Sequence, residues 1–299
     1  MTVALTPRLH GRCAQETESE LGTSSTPIRP LPSREDECSV IQPGDLEKPA
    51  SPGQRMWEVM NGRLCYLDLP ASNIEVLPGV RWGAFDHIFS PAFWACRAWL
   101  DQGKTTASHY RLGASLGEEV AACLLGGYGM PAQVGVAAYH RLRAEGLLDG
   151  VPTAAELERR LSEPLRVGDR WVKYRFPKQK SLYLSTALSV LQRTQPPAAD
   201  RELRDWLTTL PGIGLKTASW ITRNWLGSDR VAIVDIHILR AGRAAGFFLQ
   251  DWVPARHYRL LEAQFLAFAQ ALGVRASTLD HLIWHHMRLL GNLAHGKTA

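Results

Sequence analysis

The sequence predicts a mainly all-α protein, probable strands being confined to one short stretch, with two helical lobes behind a flexible tail. Three observations support this class. About ten segments with helical periodicity follow Trp82, most opened by a cap or proline and several stopped by glycine. The connections between them are short. Only one stretch, ahead of Trp82, alternates in the manner of strands, and no internal repeat is present.

Residues 1–54 are rich in Pro, Ser, Thr, Glu and Gly, as in Gly22-Thr-Ser-Ser-Thr-Pro27, and are expected to stay disordered because they cannot bury enough apolar surface to offset ordering entropy. Between Met56 and Val80, the runs Arg63–Leu69 and Asn73–Leu77 alternate and are separated by Pro70-Ala-Ser, which suggests a short hairpin or a pair of edge strands. Ser90-Pro91 has the form of an N-cap followed by proline and opens a helix to Gln102. A second helix covers Leu116–Leu125 and stops at Gly126-Gly127; Pro131 opens a third. Thr153-Ala-Ala-Glu156 is a capping box, and Ser277-Thr-Leu-Asp280 has the same form. Between the two boxes, helices are predicted from Lys178, Asp200, Gly214, Asp235 and Pro254 onward. This gives a tail at 1–54, a lobe segment with the strands at 55–112, a helical domain at 113–254, and C-terminal helices at 255–299 that pack back on the N-terminal lobe.

Composition sets wide bounds. The 299 residues carry a net charge of +5, with 45% hydrophobic and 21% charged residues, which suits a globular protein with a sizeable core and leans towards a polyanionic partner. Five scattered cysteines lack the spacing of a zinc or iron–sulfur site and are expected to be free thiols. No run is apolar enough to span a bilayer, so a cytoplasmic or nucleoid-associated monomer without membrane contact is expected.

The chemistry concentrates in Leu210-Pro211-Gly212-Ile213-Gly214-Leu215-Lys216 and in Val234-Asp235-Ile236-His237. Glycines 212 and 214 describe a tight turn feeding a helix N-terminus. Its free amides suit a phosphate oxygen, and the missing side chains permit close approach to the phosphodiester. The alternative is an ordinary helix corner. Lys216 stands in the first turn of that helix; partly buried, it would favour a neutral amine able to form a Schiff base. Exposed, it would only contact phosphate. Asp235 lies among apolar residues and is either an N-cap, a catalytic carboxylate, or both. His237 would hold a phosphate or the extruded nucleotide, or sit within a hydrogen-bond network. Arg170, Lys173, Arg175, Lys178 and Lys180 interleave with Trp171, Tyr174 and Phe176, which suggests a phosphate-contacting rim or an exposed helix end.

The block Leu-Pro-Gly-Ile-Gly-Leu-Lys216 with Val-Asp235-Ile-His237 resembles the signature of helix–hairpin–helix DNA glycosylases that use a lysine nucleophile, most closely the archaeal and bacterial branch of the 8-oxoguanine DNA glycosylases. The run Lys216-Thr-Ala-Ser-Trp-Ile-Thr-Arg-Asn224 and the segment Leu279-Asp280-His-Leu-Ile-Trp284 resemble the same branch. The resemblance implies a two-lobed glycosylase fold acting on double-stranded DNA with a damaged or modified base, without cofactor or metal. It implies base flipping, attack of Lys216 on C1′ with help from Asp235, and an imine from which β-elimination can nick the strand. Gly212, Gly214, His237, Lys178 and Lys180 are then candidate DNA contacts.

The base pocket is carried less by the resemblance than by position. Trp220 lies one turn beyond Lys216, where an aromatic could stack on an extruded base or pack in the core. Gln133, Tyr128, Phe93 and Trp284 are further candidates for the pocket or the duplex wedge. The segments Trp82–Trp94 and Leu124–Gln133 depart from the family's pattern. The expected substrate is 8-oxoguanine in base excision repair. A divergent pocket on the same catalytic core could serve a hypermodified, even glucosylated, cytosine of phage DNA, and a non-catalytic DNA-binding module is the alternative from another class.

Overall fold

The computed structural model describes residues 53–60, 62–101, 110–127 and 129–294. The expected tail lies outside them, apart from Gly53 and Gln54. Those two open strand β1 (Gly53–Met60), which pairs antiparallel with β2 (Arg63–Pro70), Gly53 facing Pro70. Gln54 ties the start of β1 to the segments beside it. Its amide donates to the carbonyls of Pro70 and Gly83 at 2.9 and 2.8 Å and accepts from the Phe85 N–H at 3.0 Å.

The runs 63–69 and 73–77, read as a short hairpin or a pair of edge strands, do form strands but do not pair with each other. β2 turns back on β1, whereas β3 (Glu75–Leu77) pairs with β4 (Val80–Arg81). The Pro70-Ala71-Ser72 segment separates the two hairpins rather than linking partners. A third hairpin, β5 (Leu165–Val167) with β6 (Arg170–Val172), lies where only helices and loops were expected. Its two-residue turn, Gly168-Asp169 with Gly168 at φ 59°, is the local signal for it.

The helices follow the sequence pattern closely. They are α1 (Pro91–Asp101), α2 (Leu116–Leu125), α3 (Ala132–Ala144), α4 (Ala154–Ser162), α5 (Pro177–Arg193), α6 (Asp200–Leu207), α7 (Leu215–Leu226), α8 (Ile236–Ala245), α9 (Pro254–Ala271) and α10 (Ala276–Ala294). The Ser90 hydroxyl accepts the Phe93 N–H at 3.0 Å, and Thr153 with Glu156 closes a reciprocal capping box. The second expected box does not form. α10 begins one residue before Ser277, whose N–H is taken by the Asp229 carboxylate at 2.9 Å, and Asp280 turns into the core.

Two apolar cores organise these elements. One gathers the β1–β2 hairpin, α1, α8, α9 and α10 around Trp94, Phe265, Phe268 and Ile283. The other gathers α2 to α7 around Tyr139, Leu157, Leu184 and Ile221. Helix α7 belongs to both: Ala218 and Ile221 lie in the second core, while Leu215 packs against the first. Cys96 and Cys123 are buried free thiols, and burial pushes both up, Cys96 to about 12, so neither offers a thiolate. Cys65, by contrast, is disulfide-bonded, which corrects the expectation of five free thiols. Bridging depends on Cα separation in the fold, and sequence spacing does not report that.

Candidate active site and nucleic-acid interface

The glycine turn is built as the sequence implies. Gly212 adopts φ 79°, a conformation that favours glycine, and a Cβ there would stand 2.1 Å from the Tyr183 ring. Gly214 is the N-cap of α7 at φ −90° and has open space where a Cβ would lie. Because glycine offers no capping oxygen, the first amides of α7 are left for solvent or an anion.

The two glycines therefore separate by substitution. Gly212→Ala should lower the thermal midpoint, costing on the order of 1–3 kcal/mol for the forced backbone and the Tyr183 overlap. Gly214→Ala should leave the midpoint nearly unchanged yet weaken binding of undamaged duplex several-fold. Calorimetry and fluorescence anisotropy on both variants check this. Unchanged duplex affinity in Gly214→Ala would remove the hairpin from the interface.

Lys216 follows in the first turn of α7. It is exposed, and its ammonium makes no hydrogen bond or ion pair with the described residues. Of the two arrangements open to Lys216, partly buried or exposed, the free protein has the exposed one, and any covering must come from a ligand. Thr217, its neighbour, lines a cavity of about 300 Å³ together with Gly126, Phe176, Lys180, Tyr183 and Gly212.

Asp235 is the N-cap of α8. Its Oδ1 accepts the N–H groups of His237 at 2.8 Å and Ile238 at 2.9 Å, leaving Oδ2 outside the cap. The His237 ring meets Trp284 of α10 edge to face, with centroids 6.5 Å apart, and its Nδ1 is buried without a partner among the described residues. His281 lies 6.3 Å from Trp284, and burial together with Arg223 holds its imidazole below the usual value. Phe93 belongs to a ring cluster with Phe89, Trp94 and His286 on the α1–α10 side.

The other candidates lie towards the second core. Trp220 is half-buried and packs there, with its ring close to Gly126. Gln133 is exposed in the first turn of α3, and Lys178 is exposed in the first turn of α5. Tyr128 lies outside the described residues. Lys180 is half-buried, and its ammonium donates to the carbonyls of Leu124 at 2.6 Å and Gly126 at 3.3 Å, where it caps the end of α2. Burial pulls its pKa down.

The alternating basic and aromatic residues from 170 to 180 sort by face. Tyr174 is buried and donates to the Leu125 carbonyl at 2.6 Å, Arg175 donates to the Gly129 carbonyl at 2.8 Å, and Trp171 is 70% exposed. This segment therefore braces the α2–α3 turn while presenting Lys173, Arg175 and Lys178 outward.

Sequence reading missed the polar residues beneath α7. Arg223 is buried; it donates to Asp280 Oδ2 at 2.9 Å and to Asn224 Oδ1, and it covers the Tyr110 ring at 4.7 Å. Asn224 in turn donates to Glu119 Oε1 at 2.7 Å on α2. Burial pushes the Asp280 carboxyl up to about 6, against the opposite pull of Arg223 and with a smaller push from Asp235. Glu262 of α9 sits beside this network and pairs with Arg204 of α6. Among the described residues no group of His, Cys, Asp and Glu is placed to hold a metal ion, and no helix is long and apolar enough to cross a membrane.

Residues 107–274 match the family described as 8-oxoguanine DNA glycosylase. Among solved structures, the 8-oxoguanine DNA glycosylase of Methanocaldococcus jannaschii is 22% identical, with a TM-score of 0.44 over 62% of this chain and 81% of that one. The corresponding enzyme of Thermotoga maritima is also 22% identical, with a TM-score of 0.44 over 66% and 88%. A complex of the M. jannaschii glycosylase/lyase with a 15mer DNA containing 8-oxoguanine is 21% identical, with a TM-score of 0.42 over 70% and 91%. With more than half of its length matched by the family, the chain belongs to the helix–hairpin–helix 8-oxoguanine DNA glycosylases.

Proposed function

We propose that this protein removes 8-oxoguanine from duplex DNA as a bifunctional glycosylase and lyase, with Lys216 as nucleophile and Asp235 as its activating carboxylate. One observation carries the reading. An exposed lysine without a hydrogen-bonding or ionic partner among the described residues stands in the first turn of an uncapped helix. Buried side chains tie that helix to the segment ending in Asp235.

In this reading the α7 amides and Gly214 receive a backbone phosphate, and Lys178 adds a cation at the rim. The target nucleotide leaves the stack, because C1′ is unreachable inside the duplex. The extruded base is assigned to the side of Trp284 and His237, whose rings meet edge to face, with Trp220, one turn beyond Lys216, as a further stacking candidate. The neutral Lys216 amine attacks C1′, the C1′–N9 bond breaks with its electrons passing to the base, and the amine proton goes by way of Asp235 to the departing base. Asp235 also offsets positive charge developing on the sugar. Ring opening gives an imine, and loss of a C2′ proton then expels the 3′ phosphate.

The test of the substrate is a panel of duplexes carrying 8-oxoguanine, other oxidised or alkylated bases, or glucosylated hydroxymethylcytosine, each incubated with native protein and borohydride. Release and trapping on the 8-oxoguanine duplex is the expected result. Reaction with the glucosylated cytosine alone would move the enzyme from repair to action on foreign DNA. Absence of adduct on every duplex, including one with an abasic site, would leave only a DNA-binding role.

A further inference from the structure

Between α7 and Asp235 the chain runs through Val231, Ala232, Ile233 and Val234, all buried. Backbone groups in such a segment cannot be satisfied by water. Side chains of α9 satisfy several of them. Glu262 Oε1 accepts the Ala232 N–H at 3.1 Å, and the Tyr258 hydroxyl donates to the Ala232 carbonyl at 2.9 Å while accepting the Val234 N–H at 3.2 Å.

Two buried carboxylates hold the helix that carries Lys216, and Glu262 is one of them. Glu262 Oε1 accepts the Ser219 hydroxyl at 3.2 Å, and Asp280 Oδ2 accepts from Arg223 at 2.9 Å. Ser219 and Arg223 follow Lys216 at one-turn and two-turn spacing, so all three lie along one stripe of α7. Glu262 and Asp280 are each buried and each charge-compensated, by Arg204 and Arg223. Well-packed apolar side chains would serve stability as well as such buried pairs do. What Glu262 adds is direction, because it bonds a specific atom of the lysine helix and a specific amide of the segment ending in Asp235.

We propose that Glu262 is a positioning residue, which sets the spacing of Lys216 and Asp235 by bonding the helix of the one and the approach segment of the other. This rests on the assignment of those two residues as nucleophile and activating carboxylate. The bridge matters because the two groups come from different helices, and a misplacement of about 1 Å between reacting groups costs about a hundredfold in rate.

The experiment is single-turnover borohydride trapping of the full chain on a duplex with a preformed abasic site, which needs no knowledge of the base released. Two variants are compared with native protein. E262Q keeps the side-chain shape and removes the charge; S219A cuts only the tie to the lysine helix and leaves Ala232 clamped. In both, the trapping rate constant should fall about tenfold or more, while the trapped fraction at saturation and the half-saturating DNA concentration stay native. Native rate constants in both variants would overturn the proposal. So would a loss seen only as a smaller trapped fraction, which is what a merely structural role produces, and S219A decides the matter if E262Q folds poorly. No adduct with native protein would overturn the nucleophile assignment itself, a failure distinct from the first two.

Discussion

Lys216→Gln should abolish the borohydride-trapped adduct and slow base release by at least about a thousandfold, the scale at which removal of a nucleophile is felt. Glutamine preserves the length and polarity of the side chain but carries no basic nitrogen. Nothing in the free protein depends on the ammonium, which is exposed and unpaired among the described residues, so the thermal midpoint should stay within roughly 0.5 kcal/mol of native. Duplex affinity should fall only by the contribution of one cation, a few-fold at moderate salt, with a correspondingly shallower salt slope. Chemistry and binding should therefore separate cleanly in this one variant. A covalent adduct retained by Lys216→Gln would show that another amine attacks the sugar, and collapse of binding together with chemistry would make Lys216 chiefly a phosphate contact.

The helices, and the two residues proposed for the chemistry, were legible in the sequence because each rests on local rules. A cap or proline at the start, a glycine at the end and apolar residues at helical spacing located α1 to α10 within a few residues. Gly212, Gly214, Lys216 and Asp235 announce themselves within two short blocks. The hairpins were less legible. β2 could have paired with either neighbouring run, and the contacts of Gln54, 29 and 31 residues distant in sequence at Gly83 and Phe85, favour β1.

The buried carboxylates were not legible at all. Glu262 stands between Leu261 and Ala263 on an apolar helix, and its partners Arg204 and Ser219 lie 58 and 43 residues away. Asp280 sits at the position a capping box would require, so its sequence context pointed to the wrong partner. Residues whose role is to join distant segments have no local pattern to betray them, whereas residues that do chemistry at a helix terminus do. For the same reason Lys180 reads as a surface cation in sequence, although the fold turns it onto the carbonyls that end α2.

Asp235 caps α8 and, in the proposed reaction, activates Lys216; two substitutions should separate these roles. As the cap of α8 it needs only an oxygen that accepts the His237 and Ile238 amides, and asparagine caps helices as well as aspartate does. Asp235→Asn should therefore unfold within about 0.5–1 kcal/mol of native, the residual loss being the charge at a helix N-terminus, and it should bind duplex normally. It cannot take a proton from Lys216 or offset charge on the sugar, so single-turnover base release should fall by about 10²–10⁴. Asp235→Ala should show the same kinetic loss and, in addition, a stability loss of about 1 kcal/mol from the missing cap. Denaturation and single-turnover rates measured on both variants form a two-by-two comparison. If asparagine restores both stability and rate relative to alanine, Asp235 serves only as a cap. If it restores stability alone, the carboxylate takes part in the reaction, and Oδ2 is the oxygen that the cap does not use.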